Sequence, residues 1–300
     1  MASPFSYNRT KPRLKTQTGN TGLGKEAVLQ LAKHNASHIY LAARTASKAH
    51  AAVEEIKSAV PNANITFLQL DLTDFNSISK AASDFKAKET RLDVLLNNAG
   101  IMATPYSTTA QGYEIQFGTN HMGHALLTKL LLPTLSATAK AGHDVRVVNL
   151  SSEGYRMAPP KLGILFDQPV AETYNTWTRY GSAKLANILH VRGLTAHHPE
   201  ITAVAVHPGV VQTDLFAAGQ RASKIIGWGM WAFGGLFMQT VAQGTKNSLW
   251  ACTANREEVR SGYYFTPVAR KSDGNGWAKD DKLMERLWEY TEDELKKHGF

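Results

Sequence analysis

The sequence predicts a single doubly wound α/β domain with a mainly parallel sheet. Three observations carry this reading. Short continuous apolar runs alternate with longer amphipathic stretches, a glycine-rich turn opens the first helix, and polar residues recur just past the ends of the apolar runs. Continuous Val/Ile/Leu runs, in place of strict alternation, mark strands covered on both faces. Strand then helix, repeated, means a parallel sheet with right-handed crossovers.

The elements follow in order. Thr18-Gly19-Asn20-Thr21-Gly22-Leu23-Gly24 precedes a helix from Lys25 to about Lys33. Glycines at 19, 22 and 24 let backbone amides approach a pyrophosphate, and the helix N-terminus adds partial positive charge. The residues before the turn, Pro12 to Thr18, stand where the central strand belongs, yet Arg13, Lys15 and Gln17 are polar. Burying an unpaired charge there costs on the order of a few kcal/mol. Residues 1–17 therefore read as an atypical segment, poorly ordered before Gly19, ahead of a domain over 18–300. A misassigned start or exon boundary would account for it.

His38–Ala43 is a buried strand ending Ala42-Ala43-Arg44, where a nucleotide-binding loop either accepts ribose hydroxyls on an acid or meets a 2′-phosphate with a cation. The guanidinium of Arg44 suits the phosphate, with Lys48 near it, so NADP is expected over NAD. Ala46 to Ala59 is a helix stopped by Pro61, Ile65–Asp71 a strand, and Phe75 to about Lys88 a helix. Val94–Asn97, Val145–Leu150 and Thr202–Val206 are further strands, with a helical stretch around Gly112 to Leu132.

Composition excludes several classes. With 300 residues, 43% hydrophobic and 19% charged, the chain has material for a core and is not disordered. A lone Cys252 rules out a disulfide framework and a cysteine-rich zinc site. His121 and His124 share a helix face but have no third ligand in view, so no metal is expected. The net charge of +8 includes Arg9, Lys11, Arg13 and Lys15, which leaves 8 − 4 = +4 for the rest. No nucleic-acid partner is implied. Residues 1–18 lack the apolar core of a signal peptide. The uncharged stretch Ile225–Val241 is the nearest candidate for a span, at the lower length limit. The chain reads as cytoplasmic without a transmembrane span, with peripheral membrane contact and a homodimer left open.

Tyr180 and Lys184 lie four residues apart, on one face of a helix. A nearby ammonium favours the phenolate, which would fit Tyr180 for proton exchange with a carbonyl or alcohol. Ser151-Ser152 follows one strand, Asn97-Asn98-Ala99-Gly100 ends another, Asn120 lies in the next helix, and Pro208-Gly209 follows a third strand. All fall at the carboxyl rim of one sheet, where such sheets bind ligands.

These motifs, with Asp71-Leu72, Asn120-His121-Met122-Gly123-His124, Lys184-Leu185-Ala186-Asn187 and Val206-His207-Pro208-Gly209-Val210-Val211, resemble the short-chain dehydrogenase/reductases, in particular the retinol-dehydrogenase-like group abundant in fungi. The resemblance runs from about Thr18 to the end. It implies a Rossmann domain and assigns roles. Tyr180 would be the proton donor or acceptor, Lys184 would lower its pKa and hold the nicotinamide ribose, and Ser152 would polarise the substrate carbonyl. Asn120 would hold a relay water. Gly19, Thr21, Gly22, Leu23 and Gly24 would take the pyrophosphate, Asp71 and Leu72 the adenine, and Asn98, Ala99 and Gly100 the ribose. Pro208, Gly209, Val211 and Thr213 would line the nicotinamide. A lid over about 215–242, with Trp228, Trp231, Phe233 and Phe237, would cover a lipophilic substrate, or else these aromatics pack a helix pair or a dimer face. The expected activity is NADP(H)-dependent interconversion of a carbonyl and an alcohol. Two other readings stand beside it. One is a remnant with a damaged cofactor site; the other is a sugar-nucleotide epimerase, which also uses Tyr-x-x-x-Lys but needs a larger region after Pro208.

Overall fold

The structure is a computed structural model and describes residues 14–211 and 239–300. Strands β1 (Leu14–Thr18), β2 (His38–Ala43), β3 (Ile65–Gln69), β4 (Val94–Asn97), β5 (Arg146–Leu150), β6 (Thr202–Val206), β7 (Tyr264–Thr266) and β8 (Arg270–Ser272) form one sheet. Their spatial order is β3-β2-β1-β4-β5-β6-β7-β8. Every pairing is parallel except the β7–β8 hairpin. The order reverses between β1 and β4, and the crevice beyond the strand ends at such a switch point is where α/β sheets take ligands.

Helices α1 (Gly22–Lys33), α2 (Ala46–Ala59) and α3 (Phe75–Lys86) connect the first strands. A short helix α4 (Ile115–Phe117) runs through a π turn at Gly118–Met122 into α5 (Gly123–Lys140). A 3-10 turn (Glu153–Met157) leaves β5, and α6 (Gln168–Glu172) precedes the long α7 (Thr176–His197). Helix α8 (Val241–Thr253) leads to the hairpin, followed by α9 (Gly276–Lys279) and α10 (Asp281–Lys297).

The sheet is covered on both faces, as its apolar runs require. Along β4, Leu95 packs with Phe85 and Leu126 on one face, while Val94 and Leu96 pack with Ala27 and Trp250 on the other. Helix α10 lies along α7, with the ring of Trp288 stacked 4.5 Å from that of His197. Cys252 is buried in α8.

The polar segment ahead of Gly19 departs from expectation over residues 14–18. Its backbone pairs with β2 from Leu14↔His38 to Thr18↔Ala42 and with β4 from Lys15↔Val94 to Gln17↔Leu96. The ladder is made by peptide groups, which every residue here supplies, so side-chain polarity does not forbid the pairing. Residues 1–13 lie outside the described residues, as do Thr213 and nearly all of the expected lid and the Ile225–Val241 stretch. Among the described residues no helix is long and apolar enough to cross a membrane.

Candidate active site

Two packing features fix where α7 meets the end of β5. Gly181 stands so close to the 3-10 turn that a Cβ there would come within 2.4 Å of the Ala158 nitrogen. Hydrogen bonds then clasp helix to strand: Lys184 Nζ donates to the Leu150 carbonyl at 3.1 Å, Asn187 Nδ2 donates to the same oxygen at 2.9 Å, and Ser151 Oγ donates to the Lys184 carbonyl at 2.7 Å. Tyr180 is thereby held against Gly154, with its hydroxyl hydrogen-bonded to Ser152.

The charges differ from the sequence expectation at one point. Burial pushes the Tyr180 phenol up to about 12, and the Ser152 hydrogen bond only partly offsets this. The Lys184 ammonium lies 5.7 Å from the ring centroid and does not bring the phenol down. Burial instead pushes Lys184 itself down to about 8. Desolvation exceeds charge pairing when both groups are buried and the ammonium lies over the ring, away from the hydroxyl.

Asn120 sits in the π turn, fully buried. Its Nδ2 donates to the Ile101 carbonyl at 2.9 Å and its Oδ1 accepts from the Ile101 amide at 2.8 Å. A Cβ on Gly100 would meet Asn120 Oδ1 at 2.8 Å and Lys184 Nζ at 3.5 Å, so the strand end, the π turn and the lysine converge. His124 Nδ1 donates to the Asn120 carbonyl at 3.0 Å. Burial, the hydrogen bond's opposing effect notwithstanding, pushes His124 down to about 3. His121, also pushed well down by burial, bonds Thr291 at 3.0 Å.

A cavity of about 850 Å³ opens along the strand ends. Of the residues expected at the site, Gly19, Thr21, Gly22, Leu23, Arg44, Asp71, Leu72, Asn98, Ala99, Gly100, Ser152, Tyr180, Lys184, Pro208, Gly209 and Val211 line it. Gly24 lies under the turn, where a Cβ would meet the Gly19 carbonyl at 2.6 Å, and Asn120 lies behind Gly100. Lys48 does not line the cavity; it is exposed on α2, one helical turn beyond Arg44.

The cavity's geometry fits a dinucleotide. Gly19 has φ +118°, in the region that favours glycine, and Thr21 at the start of α1 makes no side-chain cap. The start of α1 stands beside the cavity, and Thr21 leaves the cap side of that turn to a ligand, a place that suits phosphate oxygens. Several lining residues were not singled out in the sequence: Thr119, Glu153, Met157 and Trp177. Trp177 was within reach, because it precedes Tyr180 by three residues on one helix face. Thr119 was not, because the π turn that turns it leaves no mark in the sequence pattern.

The family model for short chain dehydrogenase matches residues 17–164. A short-chain dehydrogenase/reductase of Aspergillus calidoustus, drtF, is 40% identical over 99% of this chain and 98% of its own. Mouse retinol dehydrogenase 12 is 38% identical over 90% of this chain and 81% of its own. A crystal structure of a Mycobacterium paratuberculosis protein superposes with TM-score 0.72 at 28% identity, over 97% of this chain and 96% of that one.

Proposed function

Because this chain belongs to the short-chain dehydrogenase family and is an oxidoreductase, we propose that it interconverts a carbonyl and an alcohol on a lipophilic small molecule with NADP(H). The observation that carries the reading is the buried Tyr180, hydrogen-bonded to Ser152 beside Lys184, at the wall of a cavity that begins at the phosphate cradle.

A nicotinamide cofactor in the cavity would supply or take up the hydride. The chain's own residues do the rest. Gly19, Thr21 and the start of α1 hold the pyrophosphate, Asp71 and Leu72 flank the adenine, and Asn98 to Gly100 and Lys184 hold ribose hydroxyls. Pro208, Gly209 and Val211 border the nicotinamide. Arg44, with no acid beside it at the end of β2, meets a 2′-phosphate, which supports NADP. Ser152 orients the substrate oxygen. Tyr180, kept protonated by burial, gives its proton to that oxygen as the carbonyl carbon is reduced, and takes one back in the reverse direction. Lys184, pushed down to about 8 by burial, would return the proton to Tyr180 through a hydroxyl or water between them, because its Nζ lies 5.7 Å from the ring centroid and away from the phenol oxygen. Ile101, Met102, Ile115, Met157 and Trp177 give the substrate end an apolar wall. The name of the mouse relative, a retinol dehydrogenase, points the same way.

The test is NADPH oxidation over a panel of ketones, aldehydes and quinones. Tyr180→Phe should lose about 10²-fold or more in kcat; undiminished turnover would refute the mechanism. A thermal shift on adding NADPH separates an enzyme from a remnant, since a binder gains RT ln(1 + [L]/Kd).

A further inference from the structure

The π turn that positions Asn120 has a second effect, on the residue before it. In helices, a threonine hydroxyl commonly returns to the carbonyl four residues back. Thr128, Thr138, Thr195, Thr245 and Thr253 all do so here, at 2.7 to 2.9 Å. Thr119 does not. Its residue is only 7% exposed, its Oγ1 is buried without a hydrogen-bond partner, and it lines the cavity. Widened turns of this kind recur at functional sites.

A second polar atom is in the same condition. The Nε1 of Trp177, one turn before Tyr180, is buried and without a partner, and Trp177 also lines the cavity. The two residues belong to one wall. Gln116 Nε2, three residues before Thr119, donates to the Thr176 carbonyl and hydroxyl at 3.0 and 3.2 Å, directly beside Trp177. The buried ion pair of Arg179 with Glu114, at 3.1 Å, ties the same two elements again. The two elements are thus tied together, and each carries, on a cavity-lining residue, a polar atom that the rest of the described protein leaves unmatched.

We propose that the substrate carries, besides its reacting carbonyl or alcohol, a second oxygen that accepts hydrogen bonds from Thr119 Oγ1 and Trp177 Nε1. This rests on the oxidoreductase reading above and narrows its substrate to an oxygenated apolar skeleton. An indole N–H can only donate, so the matching ligand atom is an acceptor: a hydroxyl, keto, ether or ester oxygen. A bare hydrocarbon chain ending in an aldehyde would bury both donors unpaired. A site built around such donors rejects the ligand that lacks the acceptor.

The test uses hydroxycitronellal and dihydrocitronellal, two aldehydes of one skeleton that differ by a single hydroxyl remote from the reacting carbon. Wild-type enzyme should favour the hydroxylated aldehyde in kcat/KM by about tenfold or more, carried by KM. That preference should collapse towards unity in Thr119→Val, an isosteric change, and shrink in Trp177→Phe. A preference that survives both substitutions, or is absent in the wild type, overturns the proposal. Calorimetry with the NADP⁺-loaded protein, where neither aldehyde reacts by reduction, gives the same comparison as a ratio of affinities. If neither aldehyde is turned over with NADPH, the activity reading is in question, yet the calorimetric ratio still decides the second-oxygen site: a gap that Thr119→Val closes supports it, and equal binding overturns it.

Discussion

Replacing Lys184 with methionine should stabilise the cofactor-free protein while abolishing turnover. Burial holds the Lys184 ammonium near 8, against an ordinary value of 10.5. The difference, 10.5 − 8, at ~1.4 kcal/mol per pH decade, makes the fold bear about 3 kcal/mol against that cation at pH 7. Methionine keeps a similar length without the charge. The Leu150 carbonyl that Lys184 Nζ feeds is still served by Asn187 Nδ2 at 2.9 Å, so no acceptor is orphaned. Allowing about 1 kcal/mol for the lost hydrogen bond leaves a net gain of about 2 kcal/mol, or roughly 4 °C in Tm. The effect has a signature in pH. Between 8 and 10.5 the unfolded chain keeps a proton that the fold has released, so wild-type stability from this group rises with pH. The advantage of the variant is therefore full below pH 8 and gone above 10.5. Urea unfolding of both proteins without cofactor, at pH 7 and above pH 10, measures it. A wild type that is the more stable at pH 7, or an offset that does not fade at high pH, would show that Lys184 is not held against its charge.

Three further outcomes are expected. Arg44→Ala should cut kcat/KM for NADPH by about 10- to 100-fold while changing NADH far less, measured by initial rates with both cofactors; a neutral result would refute the NADP assignment. Gly181→Ala places a Cβ 2.4 Å from the Ala158 nitrogen and 2.5 Å from the Met157 carbonyl carbon, both backbone atoms that cannot swing away. It should cost about 1–3 kcal/mol in unfolding and, by displacing Tyr180, about 10²-fold in kcat. Lys15→Val with Gln17→Val, in a strand whose backbone pairs on both edges, should raise stability by about 1–4 kcal/mol in chemical denaturation.

Much of this molecule was legible in its sequence because repeated apolar runs and glycine positions obey local rules. The runs His38–Ala43 and Thr202–Val206 became strands with those bounds, since buried parallel strands need nothing more than continuous apolar residues between breakers. The cluster of Asn98, Ser152, Tyr180 and Lys184 was found because each follows a strand or sits on one helix face. What escaped depends on distance relations. The hairpin Tyr264–Thr266 and Arg270–Ser272 is too short to show a period, and it exists because β7 finds the free edge of β6. The proton affinity of Tyr180 was misjudged because spacing reports that Lys184 is near but not where its charge lies, nor how dry the site is. Proximity in sequence puts Lys48 near Arg44, but it does not report that one helical turn leaves Lys48 exposed and outside the cavity lining.

The electrostatics of the site follow from one economy of charge. Burial keeps His121 and His124 behind Asn120 uncharged, and it holds His190 and His207 to about 4. Lys184 adds to this at His124 and His207, whose protonation its own charge opposes. Among the described cavity-lining residues the buried cation is therefore Lys184, with Arg44 out at the exposed end. A carbonyl bound beside Ser152 and Tyr180 would meet a single buried positive source, and a buried charge acts more strongly than one in water. The histidines contribute by hydrogen bonding: His124 fixes the Asn120 carbonyl, and His190 lies 3.2 Å from Asn149, whose Oδ1 accepts from Asn97 at 2.8 Å. A protonated histidine in that web would compete with Lys184 for the same field, so burial that keeps these imidazoles neutral leaves Lys184 as the buried positive charge lining the cavity among the described residues.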